Sequence, residues 1–279
     1  MPVAISNNGA LGDLRPAPDL ARHDRLVGLR TGEFGSVNSW ELVTAVDGPG
    51  TRLTVFVNGC PLRCQYCQNP ETWFLKDGIE VTSAELIERI ARYAPIFTAT
   101  GGGLTLSGGE ILMQPAFCAR VLRGAKELGV HTCLDTSGYL GGLLSDEALA
   151  DTDLVLLDVK SGDPETYREV TGRQLEPTLE FGRRLAREGR VEVWVRFVLV
   201  PGLTDAWDNV ERVAEYTASL NELRAGTVTR VEVLPFHQLG REKWHELGRH
   251  YTLEDTLPPS AELVDRVRGQ FRARGLLSY

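Results

Sequence analysis

The chain has 279 residues, 42% of them hydrophobic and 24% charged, with a net charge of −8, the balance of a water-soluble globular protein. No apolar run approaches the roughly 18 residues that a membrane-crossing helix needs, and no apolar leader of the secretory kind is visible, so neither membrane insertion nor export is expected. The excess of acid over base argues against a nucleic-acid partner, whose backbone is bound by clustered Lys and Arg, and five cysteines, an odd number, suit a reducing cytoplasm better than a disulfide framework.

Residues 1–27 mix Pro, Ala, Asn, Gly and Asp without a sustained period and read as a mobile extension; residues 28–279 read as one domain. Ordered structure is expected from about Gly35, followed by a tight turn at Asp47-Gly48-Pro49-Gly50 and a buried strand over 53–57. Thr82-Ser83-Ala84-Glu85 has capping-box spacing, and Leu86, Ile90 and Tyr93 follow at helical intervals. The strand at 104–106 ends in Ser107-Gly108-Gly109-Glu110, and a helix then runs from Pro115 toward a stop at Gly129. Strands at 130–134 and 154–157 end in Asp135-Thr136-Ser137-Gly138 and in Asp158-Val159-Lys160. A helix over 178–188 precedes the β-rich run 191–200, which carries Arg196 in its middle. A helix over 209–220, a strand over 228–234 ending in Pro235-Phe236-His237, and a helix over 261–272 complete the order. Alternating βα units predict a parallel sheet with right-handed crossovers. About six units are too few to close an eight-stranded barrel. The predicted fold class is therefore α/β, a partial, open β/α barrel.

Polar residues gather at the predicted C-terminal strand ends, where β/α barrels build active sites. Directly after the strand over 53–57 stand Cys60, Cys64 and Cys67. Thiolates this close in a reducing compartment bind soft metals or iron–sulfur clusters. Structural zinc and most clusters want four ligands, and this loop supplies three, so a zinc knuckle with a distant ligand and an open-sited cluster both remain readings of the spacing. Gly108 and Gly109 let the backbone approach a ligand closely, and Glu110 can accept from an ammonium group. Lys160 can face a ligand carboxylate, with Asp158 expected on the opposite face of the strand. Arg196 must find an anion, either a ligand or a neighbouring carboxylate. His237 can pack against an adenine or ribose, or be satisfied within the protein. Asp135 and Asp158 would repel unless a cation lay between them or Arg196 and Lys160 paired with them. Cys118 and Cys133 read as core.

The loop's C-x-x-x-C-x-aromatic-C pattern, with Tyr66 in the aromatic place, resembles the signature of the radical S-adenosylmethionine enzymes. Taken with Asp47-Gly48-Pro49-Gly50, Ser107-Gly108-Gly109-Glu110, His131 to Thr136, Leu157 to Lys160, Arg196 with Val200-Pro201-Gly202, and Leu234 to Gly240, the chain from about Gly35 onward resembles the pyruvate formate-lyase activating enzymes. The resemblance implies a [4Fe–4S] cluster on Cys60, Cys64 and Cys67, chelated by the amine and carboxylate of S-adenosylmethionine. It implies cofactor contacts at Tyr66, Gln68, Gly108, Gly109, Glu110, Asp158, Val159, Lys160, Arg196 and His237, and a monovalent-cation site at Asp135, Thr136 and Asp158. It also implies reductive cleavage of the sulfonium to a 5′-deoxyadenosyl radical and hydrogen abstraction from a glycine of pyruvate formate-lyase. The implied setting is a cytoplasmic monomer of anaerobic metabolism served by a flavodoxin- or ferredoxin-type donor. Gln68 stands where many members have His, and Ser137 where many have Asn. An activase of another glycyl-radical enzyme is the alternative, although residues 68–107 hold none of the additional cysteines many such relatives carry. A non-catalytic zinc module is the alternative outside enzymes.

Overall fold

A computed structural model describes residues 14–19, 21–44 and 47–279. Most of the expected N-terminal extension, and Val46 beside the predicted turn, lie outside the described residues. The chain divides into two compact units, one holding the residues up to Cys60 with Glu71–Leu134 and Leu144–Thr152, the other Pro61–Pro70, Asp135–Leu143 and Asp153–Tyr279.

The first unit contains α1 (Arg22–Thr31), β1 (Phe34–Thr44), β2 (Thr51–Val57), β3 (Ile79–Thr82), α2 (Ser83–Thr100), β4 (Gly103–Gly108), α3 (Pro115–Glu127) and α4 (Asp146–Ala150), with β5 (His131–Thr136) leaving it at Leu134. β2, β4 and β5 pair in parallel, as the βα pattern requires, while β1 lies antiparallel to both β2 and β3. α1 starts inside the stretch that the sequence suggests is an extension. The expected cap of α2 forms, with the Thr82 side chain accepting from Glu85 N at 3.0 Å. Gly101 closes that helix at φ 64°, the left-handed conformation that costs glycine nothing. Leu53, Val55, Leu104 and Leu106 are almost fully buried, as is Cys133 on β5, and Cys118 on α3 joins the apolar interior. The two thiols thus behave as small hydrophobes, and burial pushes Cys118 up to about 12.

A cation lies inside this apolar sheet. Arg52 on β2 is 0% exposed. Its Nε donates to Thr105 Oγ1 at 2.6 Å, Nη1 to Pro49 O at 3.2 Å and Nη2 to Leu104 O. Thr105 Oγ1 in turn donates to Asp47 O at 2.7 Å. The predicted turn is thereby tied to β4 through one guanidinium, and its glycines Gly48 and Gly50 take φ of 115° and 65°. Arg52→Leu should cost about 3 kcal/mol in denaturant unfolding, because it leaves buried acceptors without their donor.

The second unit contains β6 (Leu154–Asp158), α5 (Pro164–Thr171), α6 (Glu176–Glu188), β7 (Glu192–Leu199), α7 (Trp207–Leu223), β8 (Val228–Pro235), α8 (Arg241–Glu246) and α9 (Ala261–Ala273). β6, β7 and β8 are parallel, with Asp158 opposite Arg196 and Arg196 opposite Glu232. Alternation on β7 sends Val193, Val195 and Phe197 to the helix side, where the Phe197 ring lies 6.2 Å from that of Phe271 on α9. Trp194, Arg196 and Val198 therefore take the other face. The loop leaving β6 is fixed by buried Asn209 of α7, whose Oδ1 accepts from Ser161 Oγ, Gly162 N and Asp163 N at 2.7, 2.9 and 3.1 Å. Among the described residues no helix is long and apolar enough to cross a membrane.

Candidate active site

In the first unit the chain leaves β2 through Asn58, Gly59 and Cys60. Gly59 N donates to Thr72 O at 2.7 Å and Cys60 N to Trp73 O at 3.1 Å, so the first cysteine is placed by backbone bonds. The Gly108-Gly109-Glu110 turn leaves β4 alongside it, with Gly109 N donating to Val57 O and Glu110 N to Gly59 O, both at 2.8 Å. The glycines are required by this close backbone approach: a Cβ on Gly108, which has φ of 116°, would lie 2.3 Å from Val57 N, and one on Gly109 would lie 2.4 Å from Gly59 O. Glu110 is only 1% exposed, and its Oε1 accepts from Leu112 N at 3.4 Å, capping the short turn that follows.

In the second unit the rest of the cysteine loop is laced to α5 and to the turn after β8. Arg63 N and Gln65 N donate to Thr171 O and Val170 O at 2.8 and 3.0 Å. Trp244 Nε1 donates to Cys67 O at 2.9 Å, Gln68 Nε2 to His237 O at 3.2 Å and Lys243 Nζ to Asn69 Oδ1 at 2.9 Å. Sequence reasoning passed over Trp244, Lys243 and the Thr171 region. The available signal was the tryptophan of the short α8 following the Phe236-His237 rim. Trp244→Phe removes one donor worth about 1 kcal/mol. The loaded variant is expected to lose iron several-fold faster to a chelator, measured by absorbance.

Cys64 is 8% exposed, and burial raises its thiol to about 12 despite the nearby Lys160. Tyr66 is buried and its phenol is pushed well above its ordinary range, first by burial. The Lys160 ammonium stands 5.5 Å over the Tyr66 ring and pairs with Asp158 Oδ2. Burial is the largest single influence on Lys160 and pulls it down. Asp158 foremost, then Tyr66 and Cys64, outweigh it and leave the ammonium well above its usual range. This corrects the expectation that Asp158 and Lys160 face opposite ways: they are two residues apart at the end of an extended strand and so share a face. Asp158 Oδ1 and the Tyr66 hydroxyl are buried without a hydrogen-bond partner.

Asp135 and Asp158 each meet a cation of the protein, Asp135 Oδ2 lying 3.5 Å from Arg196 Nη1 and Asp158 meeting Lys160. Arg196 also reaches Glu232 Oε2 through Nε at 2.9 Å, so it is held by carboxylates on two other strands. Thr136 is buried, and its hydroxyl accepts from Gly138 N at 3.0 Å. Val159 is buried, with its N–H on Arg196 O at 2.9 Å. Gln68 is half-buried, and His237 is exposed with Nδ1 accepting from Leu239 N at 3.4 Å. Among the described residues no three His, Cys, Asp or Glu side chains converge as they would around a single metal ion. Ligands to a multi-iron cluster bind separate irons and do not need that convergence.

The family model of the radical SAM superfamily matches residues 54–216, which defines the class as an α/β enzyme of the radical type. The chain is 40% identical over 238 residues to the pyruvate formate-lyase 1-activating enzyme of Escherichia coli K12, covering 85% of this chain and 94% of that one. It is 42% identical over 222 residues to the pyruvate formate-lyase-activating enzyme of Clostridium pasteurianum, covering 80% and 90%. Among solved structures, a radical SAM methyltransferase from Sphaerobacter thermophilus superposes with a TM-score of 0.59 at 16% identity, over 93% of this chain and 81% of that one, a likeness of fold. The chain belongs to the pyruvate formate-lyase-activating enzymes of the radical SAM superfamily. Its fold class is the expected α/β partial barrel.

Proposed function

We propose that this enzyme activates pyruvate formate-lyase, using a [4Fe–4S] cluster and S-adenosylmethionine to place a radical on one glycine of the lyase. The carrying observation is the run of three thiols that follows β2, together with two buried oxygens of the second unit that have no partner, Tyr66 Oη and Oδ1 of Asp158, the carboxylate that acts on Cys64. A buried oxygen with no partner costs about 1–3 kcal/mol, which a bound polar ligand would offset. The donor set fits the cofactors: soft thiols at Cys60, Cys64 and Cys67 for iron, and a cation and carboxylate at Lys160 and Asp158 for the two charged ends of an amino acid.

When bound, the reduced cluster supplies the electron that cleaves S-adenosylmethionine and starts hydrogen transfer from the glycine. The protein's own part is placement. Cys64 must shed its proton to become a ligand, so loading releases protons. Lys160 and Arg196 orient the ligand carboxylate, Asp158 and Glu110 accept from its amine, and Gly108, Gly109, Tyr66, Gln68, Val159 and His237 line the cofactor. Asp135, Thr136 and Asp158 would hold a monovalent cation. The reading extends to a cytoplasmic monomer reduced by a flavodoxin- or ferredoxin-type protein, in which residues 28–279 form the catalytic domain and 1–27 an extension that ends in the first residues of α1. The names of the relatives favour pyruvate formate-lyase over other glycyl-radical enzymes.

The test is electron paramagnetic resonance on anaerobically reconstituted, reduced enzyme mixed with S-adenosylmethionine and pyruvate formate-lyase. A glycyl-radical doublet on the lyase is expected. 5′-Deoxyadenosine without a doublet would reassign the partner. Neither product from a protein carrying about four irons with sulfide would sink the reading, and one zinc per chain would replace it with a structural module.

A further inference from the structure

Arg196 is held by a residue to which no role has yet been given. Glu232 of β8 stands opposite Arg196 in the β7–β8 register, and Asp158 stands opposite Arg196 on the other side, so the three form one row across three strands. The row lies on the face turned away from α9, since Phe197, the next residue along β7, packs on Phe271. In β/α barrels active sites are built at the C-terminal strand ends, and Asp158, at one end of the row, is the last residue of β6. Glu232 Oε2 is 2.9 Å from Arg196 Nε, with side chains only 14% and 9% exposed. Its other oxygen lies 3.2 Å from Arg230 Nε, and the Arg230 guanidinium is stacked 4.6 Å from the Trp194 ring and 4.4 Å from that of Tyr279. Glu232 therefore accepts a hydrogen bond from Arg196 and forms an ion pair, without a hydrogen bond from Nε, to the stacked Arg230 two residues away on its own strand. Taken with the charges that flank it, Lys160, Arg230 and Asp135, the row is neutral as built, three cations against three carboxylates.

We propose that Glu232 is a positioning and specificity-determining residue: it fixes the Arg196 guanidinium by its Nε edge and holds the row neutral, so that a ligand bearing a positive sulfonium is accepted. The proposal rests on the reading of Arg196 as a contact of S-adenosylmethionine. Replacing Glu232 by Gln keeps the shape and removes the charge. Arg196 is then less firmly oriented, and the row gains a net positive charge in a setting where water screens poorly. A cationic ligand should suffer more than a neutral one of the same shape.

The test is titration calorimetry of cluster-loaded protein with S-adenosylmethionine and with S-adenosylhomocysteine, whose thioether is uncharged. Glu232→Gln is expected to weaken the sulfonium ligand about tenfold and the thioether distinctly less. Glu232→Asp should recover part of the loss, and in an Arg196→Gln background, where no guanidinium remains to be oriented and only the charge effect is left, Glu232→Gln should cost the sulfonium ligand distinctly less than it does in wild type. Thermal unfolding checks the fold; if Glu232→Gln does not fold, the ligand comparison is made on Glu232→Asp. Unchanged affinity, equal loss for both ligands, or the same loss in both backgrounds would overturn the proposal while leaving the function intact. Wild-type protein that binds neither ligand would instead sink the functional reading, and this proposal with it.

Discussion

Cys64→Ala is expected to give a folded protein that holds little iron and generates no glycyl radical, a loss of activity to background. The expectation rests on the separation of two roles in one side chain. Without metal, Cys64 is a buried thiol whose proton leaves only near pH 12, so it sits in the second unit as a small neutral group. Removing one sulfur from such a position costs about 1 kcal/mol, within the ordinary range for a core substitution. The loop keeps its backbone bonds to Thr171, Val170 and Trp244, which do not involve the sulfur. With metal, the same atom is one of three thiolates, and no further cysteine stands in the loop to replace it. Iron and sulfide analysis, circular dichroism and the radical signal measured on one preparation separate the two roles. A variant that still made the radical at more than a few per cent of wild type would remove Cys64 from the site; a variant that failed to fold would show that the thiol carries more of the packing than its size suggests.

The parts of this molecule legible in the sequence were those written locally. Three cysteines within eight residues need no tertiary information to be noticed, and the βα strands announced themselves as apolar runs closed by glycine or a polar pair. β1 and β3 did not. β1 carries Ser36, Asn38, Ser39 and Glu41 among its apolar residues and lacks a clean alternation, and β3 is four residues long, so their pairing decided their structure. Arg52 fell just outside the strand expected over 53–57 and carried no reading. Its meaning appears only when Pro49 O, Thr105 Oγ1 and Leu104 O close around it. The lacing of the cysteine loop was hidden for the same reason, since Trp244 and Cys67 are 177 positions apart. Arg196 was recognised as a charge in need of an anion, but Glu232 was not offered as that anion. The pairing of neighbouring parallel strands, which sets the two opposite each other, cannot be read from either strand alone.

Lys160→Met is expected to abolish S-adenosylmethionine binding at millimolar concentration and to destabilise the protein, a combination that Cys64→Ala does not produce. Lys160 is the cation of a nearly enclosed pair, its side chain 12% exposed against 20% for Asp158. Methionine fills the stem's volume but leaves Asp158 as a buried carboxylate with neither oxygen on Lys160, and breaking such a pair from one side costs about 3 kcal/mol. The same loss takes away the positive charge above the Tyr66 ring and beside Cys64. The sign of the pH dependence follows from the ammonium's raised value. A lysine held above its unfolded value of about 10.4 contributes its full stability below that pH and loses it only as the pH rises through the higher folded value. Wild type and variant should therefore differ by a constant amount in denaturant unfolding from neutral pH to about pH 10, and converge above it. Asp158→Asn placed on the Lys160→Met background should recover much of the stability, because it removes the stranded charge, and none of the ligand affinity, because the cation is still missing. Recovery of both would mean that Lys160 serves the fold alone; recovery of neither would mean that its stem and the Tyr66 contact, rather than its charge, hold this end of the second unit together.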